Sequence, residues 1–374
     1  MSLLEPALPA SGRRVRRVLL VVGQLGRGGT ERQVVLLATA LRQQGVEVQV
    51  ASLYGGGPRE QELAAAGIPV WIGGVDTKTH PWRALVGVLR FYRLLRQFRP
   101  DVMHAFLVHA CVIAGPLARL ARVPAVVAGR RSLADILAGR RLLSLADRLT
   151  TPTYHCLVAN ADAVAADTLR RERVSADRVH VVRNALPTTA FERERDQNRA
   201  WSDPPVALCV ANLIGYKGHA DLIDALALLS RPVRVLLVGE GPERPALIAR
   251  IAARGVAAQL LGARSDVGEL LAQADVFVLP SHQEGMSNAL MEAAAAGLPC
   301  IATDVGGNRE VLGEHGVLCR PHDPTDLARA LESVLHDESA ARELGRLARV
   351  RARERFGLAP FVQAHLELYD RLLH

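Results

Sequence analysis

The chain has 374 residues, 49% hydrophobic and 22% charged, with a formal net charge of +8. That length exceeds what one core supports, so two domains are expected, and no charge-free stretch reaches the ~18–20 residues of a membrane span. Five scattered cysteines without a C-x-x-C pair argue against a disulfide framework and a metal site, and 4% aromatic content argues against a nucleic-acid surface. The charge is uneven: through Ala185 the surplus is +13, and the remainder is −5, so the first half is expected to face something anionic.

Residues 1–15 read as a loose tail. Arg13, Arg14, Arg16 and Arg17 precede an apolar run of only six residues to Gly23, shorter than the ~7–15 of a signal peptide. Val18–Leu53 reads as strand, glycine loop, helix, strand, with Val34, Leu37, Ala38 and Leu41 at helical spacing and Gly45 closing the helix. Gly28 and Gly29 let the backbone approach a ligand, but the loop is not G-x-G-x-x-G, so no nicotinamide cofactor is indicated. His80–Asp101 is an amphipathic helix. Trp82, Leu85, Val86, Leu89, Tyr92 and Leu95 form its apolar side, opposite Arg83, Arg90, Arg93 and Arg96, a face suited to water or to anionic lipid.

Asp101–Gly115 is a strand running into a helix, with His104 inside the strand and His109 at the junction. A buried, hydrogen-bonded imidazole is the plainer reading of His104 and an even one for His109. Pro124–Ser132 is a strand ending in Arg130, Arg131 and Ser132; Cys156–Leu169 is strand and helix with Asn160 as cap. Arg178–Phe191 reads as an interdomain strand and hinge, and Glu192–Pro205 as a linker.

Val206–Leu229 opens the second half and carries Lys217, the only lysine after the hinge. Strand, loop and helix follow in Val233–Ile251, with Gly241 in the loop, and Arg264 lies in a turn from Gly262 to Val267. Then Ala274–Leu279 is a short buried strand, Pro280–Met286 a loop containing Glu284 and Gly285, and Ser287 and Asn288 the cap of an alanine-rich helix that bears Glu292 and stops at Gly297. A helix start facing the carboxyl ends of parallel strands favours phosphate through its N–H groups and dipole.

The block from Pro280 to Pro299, P-S-x-x-E-G-x6-E-A-x-A-x-G-x-P, resembles the signature of retaining family-4 glycosyltransferases. The resemblance implies the α/β GT-B fold: two Rossmann-like domains, residues 16–186 and 187–354, facing across a cleft, with helix 355–374 crossing back to the first. It implies that Glu284 lies beside the donor sugar, Glu292 at the ribose and Ser287–Asn288 at the diphosphate, with Gly285 and Met286 between them. Lys217 matches the family's phosphate lysine, but Asn212 stands where an arginine is usual. Gly28 and Gly29 match the family's G-G-x-E-R loop, Gly241 and Arg264 its donor loops, and Gly306, Gly307 and Glu310 its G-G-x-x-E. His104, His109 and Arg131 fall on the acceptor side, although Phe106 replaces the second histidine of D-V-x-H-x-H. Catalytic roles are expected for Glu284, Lys217 and His109.

The implied reaction moves a sugar, with retention, from a nucleotide diphosphate sugar to a glycan or polyprenyl-diphosphate-linked acceptor in bacterial surface polysaccharide biosynthesis. No cofactor and no metal are expected, because Lys217 and the helix start stand in for a divalent ion. The expected place is the cytoplasm, with an anionic inner membrane face as a candidate surface and no nucleic-acid partner. A nucleotide-sugar 2-epimerase of the same plan and a non-catalytic sugar- or nucleotide-binding protein are the alternatives.

Overall fold

The computed structural model describes residues 14–75, 81–133, 141–192 and 199–374. The start of the tail and residues 193–198 of the linker lie outside them. The first half is built from β1 (Arg17–Val22), α1 (Gly29–Gln43), β2 (Glu47–Ser52), α2 (Glu60–Ala65), β3 (Val70–Ile72), α3 (Pro81–Phe98), β4 (Val102–Phe106), α4 (Val108–Leu120), β5 (Ala125–Arg130), α5 (Arg141–Thr150), β6 (Cys156–Ala159), α6 (Asp162–Glu172) and β7 (Val179–Val181). Its seven strands pair in the order 3-2-1-4-5-6-7, all parallel.

The second half contains β8 (Val206–Val210), α7 (His219–Leu226), β9 (Arg234–Val238), α8 (Arg244–Arg254), β10 (Ala258–Gly262), α9 (Val267–Gln273), β11 (Val276–Leu279), α10 (Asn288–Ala295), β12 (Cys300–Thr303), α11 (Asn308–Leu312) and β13 (Val317–Cys319). Three helices end the chain: α12 (Pro324–His336), α13 (Glu338–Arg355) and α14 (Leu358–Leu372). The second sheet runs 10-9-8-11-12-13, again parallel. These are two Rossmann-like domains, in which ligands gather beyond the carboxyl ends of the strands.

Alternation along the strands builds a core on each face of each sheet. In the first sheet Val18, Leu20 and Val22 pack toward α1 and α14, whereas Leu19 and Val21 pack toward α3 and α4. Helix α14 returns to the first domain: Phe361, Val362, Leu368 and Tyr369 join the core that holds Val34, Leu37 and Leu41 of α1, and Asp370 Oδ1 accepts from Val15 N at 2.7 Å.

Helix α3 departs from the sequence expectation. Its buried positions are Gly87, Phe91, Leu94 and Leu95, while Trp82, Leu85, Val86 and Leu89 are 45–61% exposed. At 100° per residue the two sets lie on opposite sides, so this helix is apolar on both. The sheet takes the set in which Gly87 lets the backbone approach Val75, where an added Cβ would lie 2.7 Å from a Val75 methyl.

Candidate active site

Between the carboxyl ends of the two sheets lies a cleft of about 1380 Å³. The first domain lines it with Gly28, the first turn of α1 (Gly29–Arg32), Arg131 and Asn184; the second contributes Asn212, Lys217, Glu240, Arg264, the stretch from Gln283 to Ala289 and Glu292.

At its centre is a three-residue cluster. Buried β11 delivers Pro280 and Ser281 to the sheet edge, and the Ser281 hydroxyl donates to Glu284 Oε1 at 2.8 Å. Lys217 Nζ donates to the same oxygen at 2.6 Å. The lysine ends a 3-10 turn, Gly215–Lys217, that is locked by Gly218 at φ 69°. A side chain at Gly218 would put Cβ 1.9 Å from the Pro280 carbonyl oxygen, so turn and loop are seated on each other. Glu284 is only 8% exposed, which matches a carboxylate with fixed donors. Gly285 passes so close to the first domain that a Cβ there would lie 2.2 Å from the Arg131 carbonyl oxygen.

Helix α10 starts three residues later, at Asn288. Ser287 Oγ caps it by accepting from Leu290 N at 3.3 Å, and the leading residues Ser287, Asn288 and Ala289 line the cleft. The Asn288 amide also serves the domain junction. Its Oδ1 accepts from Gln33 Nε2 (3.1 Å) and Asn184 Nδ2 (3.0 Å), and its Nδ2 donates to the Gly29 carbonyl (3.1 Å). One turn along, Glu292 forms an ion pair with Arg32 of α1. Burial raises the Glu292 pKa, and Arg32 pulls it back. Sequence reasoning missed Arg32 and Gln33 as partners, though both follow the glycine pair in G-G-T-E-R-Q.

Asn212 is exposed at the cleft wall, and Arg264, also exposed, lines the cleft while its guanidinium pairs with Asp266, Nε to Oδ1 at 2.8 Å. Gly241 is not among the cleft-lining residues: its Cβ would sit 2.2 Å from the Leu213 carbonyl oxygen, so its glycine serves packing. Met286 is buried at the cleft, and its carbonyl accepts from Asn184 Nδ2 at 3.1 Å.

The residues expected on the acceptor side separate. His104 is fully buried: it shares a 2.7 Å hydrogen bond through Nδ1 with the Tyr369 hydroxyl of α14 and stacks on Phe106 at 4.1 Å. It lines neither the cleft nor the smaller pocket beside it, which corrects its placement among acceptor-facing residues. The reason is the landing of α14, whose Tyr369 and His365 cover the ring. His109 is exposed in the first turn of α4 and lines that smaller pocket, about 320 Å³, rather than the large cleft. Arg131 borders both, with Nη1 donating to Asn184 Oδ1 at 2.7 Å and the guanidinium 5.0 Å from the Phe106 ring. Burial pushes the Arg131 pKa down to about 10. Arg130 is consumed structurally, as its guanidinium forks onto Glu172 (2.7 Å to each oxygen) and reaches Asp147 at 3.2 Å.

Residues 27–190 match the family described as Glycosyltransferase Family 4, and residues 204–337 match Glycosyl transferases group 1. A glycogen synthase of Mycobacterium tuberculosis is 30% identical over 293 residues, covering 73% of this chain and 69% of that protein. The chain belongs to the family-4 glycosyltransferases. This is a family of transferase enzymes. A 33% match to N-acetyl-alpha-D-glucosaminyl L-malate synthase of Bacillus anthracis spans less than half of each, 45% of this chain and 46% of that protein. The lipopolysaccharide core biosynthesis glycosyltransferase LpsE of Rhizobium meliloti is 26% identical over 91% of this chain and 95% of its own length. In fold, the chain is similar to the GT-B structure of Anabaena Alr3699/HepE, solved with UDP-glucose: TM-score 0.81 and 22% identity over 95% of this chain and 99% of that one.

Proposed function

We propose that this chain transfers a sugar, with retention at the anomeric carbon, from a nucleotide diphosphate sugar to a glycan or polyprenyl-diphosphate-linked acceptor in bacterial surface polysaccharide biosynthesis. The observation that carries this reading is the contact of Lys217 with Glu284 at 2.6 Å beside the leading edge of α10. A departing diphosphate gains charge as the sugar bond breaks, and preorganised dipoles and cations are the means of meeting it. Lys217 and the start of α10 supply both, so no divalent ion is needed at the diphosphate.

Glu284 Oε1 already accepts from Lys217 and Ser281, which leaves its second oxygen for a hydroxyl of the sugar; its role is orientation rather than nucleophilic attack. Glu292, deeper along α10, takes the ribose, with Arg32 giving way. His109 and Arg131 serve the acceptor from the smaller pocket. The kinship with LpsE supports a glycan acceptor, and the UDP-glucose held by the Anabaena protein supports a nucleotide-sugar donor.

Membrane contact at the cytoplasmic face belongs to the same proposal. Exposed Trp82, Leu85, Val86 and Leu89 of α3 are followed by exposed Arg90, Arg93 and Arg96, a surface suited to anionic lipid. No helix among the described residues is long and apolar enough to cross a membrane.

A panel of UDP-, GDP- and ADP-sugars tests the function by thermal shift, since binding to the native state raises the melting temperature. One nucleotide class is expected to stabilise the protein and to release free nucleotide faster when acceptor is added. Absence of stabilisation by every member would overturn the donor reading.

A further inference from the structure

Three residues far apart in sequence meet at the carboxyl edge of the second sheet, just outside the cleft. Asp221 lies in the first turn of α7, His282 in the loop after β11, and His322 in the turn after β13. His282 Nε2 is 2.7 Å from Asp221 Oδ2, and the His282 and His322 rings lie against each other, tilted by 33° with centroids 3.6 Å apart. One ligand atom from each residue lies within 4.8 Å of the other two. Two imidazoles and a carboxylate are a donor set for a borderline divalent cation of the zinc type, which takes ligands at about 2.0–2.2 Å and leaves a fourth position to water. Closing such a set needs the ligand atoms about 3.4 Å apart, as tetrahedral geometry requires. His322 is exposed, so its ring can turn to make that adjustment.

Two further observations separate this cluster from an ordinary histidine–aspartate pair. Among the described residues, His322 is one of the few non-glycine residues at positive φ, 58°, a conformation unfavourable for an L residue that here carries its ring onto His282. The neighbouring acids are already engaged. Asp323 caps α12 by accepting from Asp326 N at 2.9 Å, and Arg320 pairs with both Asp323 and Asp326. Asp221 is thus the carboxylate directed at the imidazole pair.

We propose that Asp221, His282 and His322 bind one zinc-type divalent cation, and that this ion clamps the back of the Glu284 loop. The ion does no chemistry on the donor, because none of the three residues lines the cleft. Its grip would reach the donor side through short connections: His282 N donates to the Tyr216 carbonyl at 2.7 Å, Lys217 follows Tyr216, and Glu284 follows His282 by two residues. The binding site stands on these residues alone, whichever donor the cleft accepts.

The test uses the full chain after EDTA treatment and dialysis, titrated with Zn²⁺ by calorimetry and followed by thermal shift. One Zn²⁺ per chain in the micromolar range is expected, with a rise in melting temperature. His322→Ala, at an exposed position, should fold normally and lose at least about tenfold in affinity. Asp221→Asn should do likewise, while His336→Ala, at the far end of α12 and outside the cluster, should bind as the parent does. Absence of one-to-one binding, or affinity unchanged in both His322→Ala and Asp221→Asn, would overturn the proposal.

Discussion

The two sides of the cleft differ in how they are made. On the second-domain side, Glu284, Ser287, Asn288 and Glu292 come from one continuous stretch, and Lys217 joins them through a turn seated directly on that stretch. On the first-domain side, His104 within β4, His109 in the first turn of α4 and Arg131 just past β5 occupy three different settings: core, small pocket and boundary. A site carried by one loop and one helix keeps its geometry from local capping and turn rules. A site assembled from separate elements depends on what the rest of the chain lays over it, here α14. The second-domain side should therefore respond to substitution through chemistry, and the His104 region through stability.

The sharpest break of that contrast is Lys217→Ala. Loss of one charged contact to a developing anion should lower turnover by ~10²–10³ in a protein that still folds. A variant keeping half the parent rate would show that the diphosphate is held elsewhere. Next comes the acid response of the His104 region. Burial pushes the His365 pKa down to about 3, and His104 well below its ordinary value, so the folded state keeps both rings neutral while the unfolded chain protonates them near 6.5. Stability from this pair is complete above about pH 6.5 and falls as pH drops toward 3, by up to ~1.4 kcal/mol per pH unit per ring. Melting curves between pH 7 and 5 should be flatter for His104→Gln and His365→Gln than for the parent, with donor affinity at pH 7.5 unaltered. Equal slopes would mean that the imidazoles do not set the acid response. The smallest effect expected is from Asn212→Arg, which restores the usual cation at an exposed wall position and should tighten nucleoside diphosphate binding about fivefold. Unchanged affinity would mean that position 212 does not face the phosphate.

The parts legible in the sequence are the local ones. Apolar runs of strand length separated by helical periodicity announce two parallel sheets, and Ser287, Gly297 and the glutamate spacing announce α10 and its loop. The parts that were not legible depend on long-range packing. Nothing near His104 says that Tyr369 will bond to it, and Phe106, in place of the expected second histidine, is the residue that stacks on its ring. Arg32 opposite Glu292, and Gln33 opposite Asn288, require knowing how the domains meet. Helix α3 misled for another reason: with apolar residues on both sides, periodicity alone cannot say which stripe faces the sheet.

The central claim is that one motif divides its labour, Glu284 at the sugar and Glu292 at the nucleotide. Calorimetric titration of Glu284→Gln and Glu292→Gln, each with the bare nucleoside diphosphate and with the intact nucleotide sugar, tests it most directly. Glu292→Gln should weaken both ligands. Glu284→Gln should bind the bare nucleotide almost as the parent does and yet fail in transfer, because its contact strengthens as the sugar flattens and gains charge. Loss of nucleotide affinity in Glu284→Gln as large as in Glu292→Gln would contradict the division.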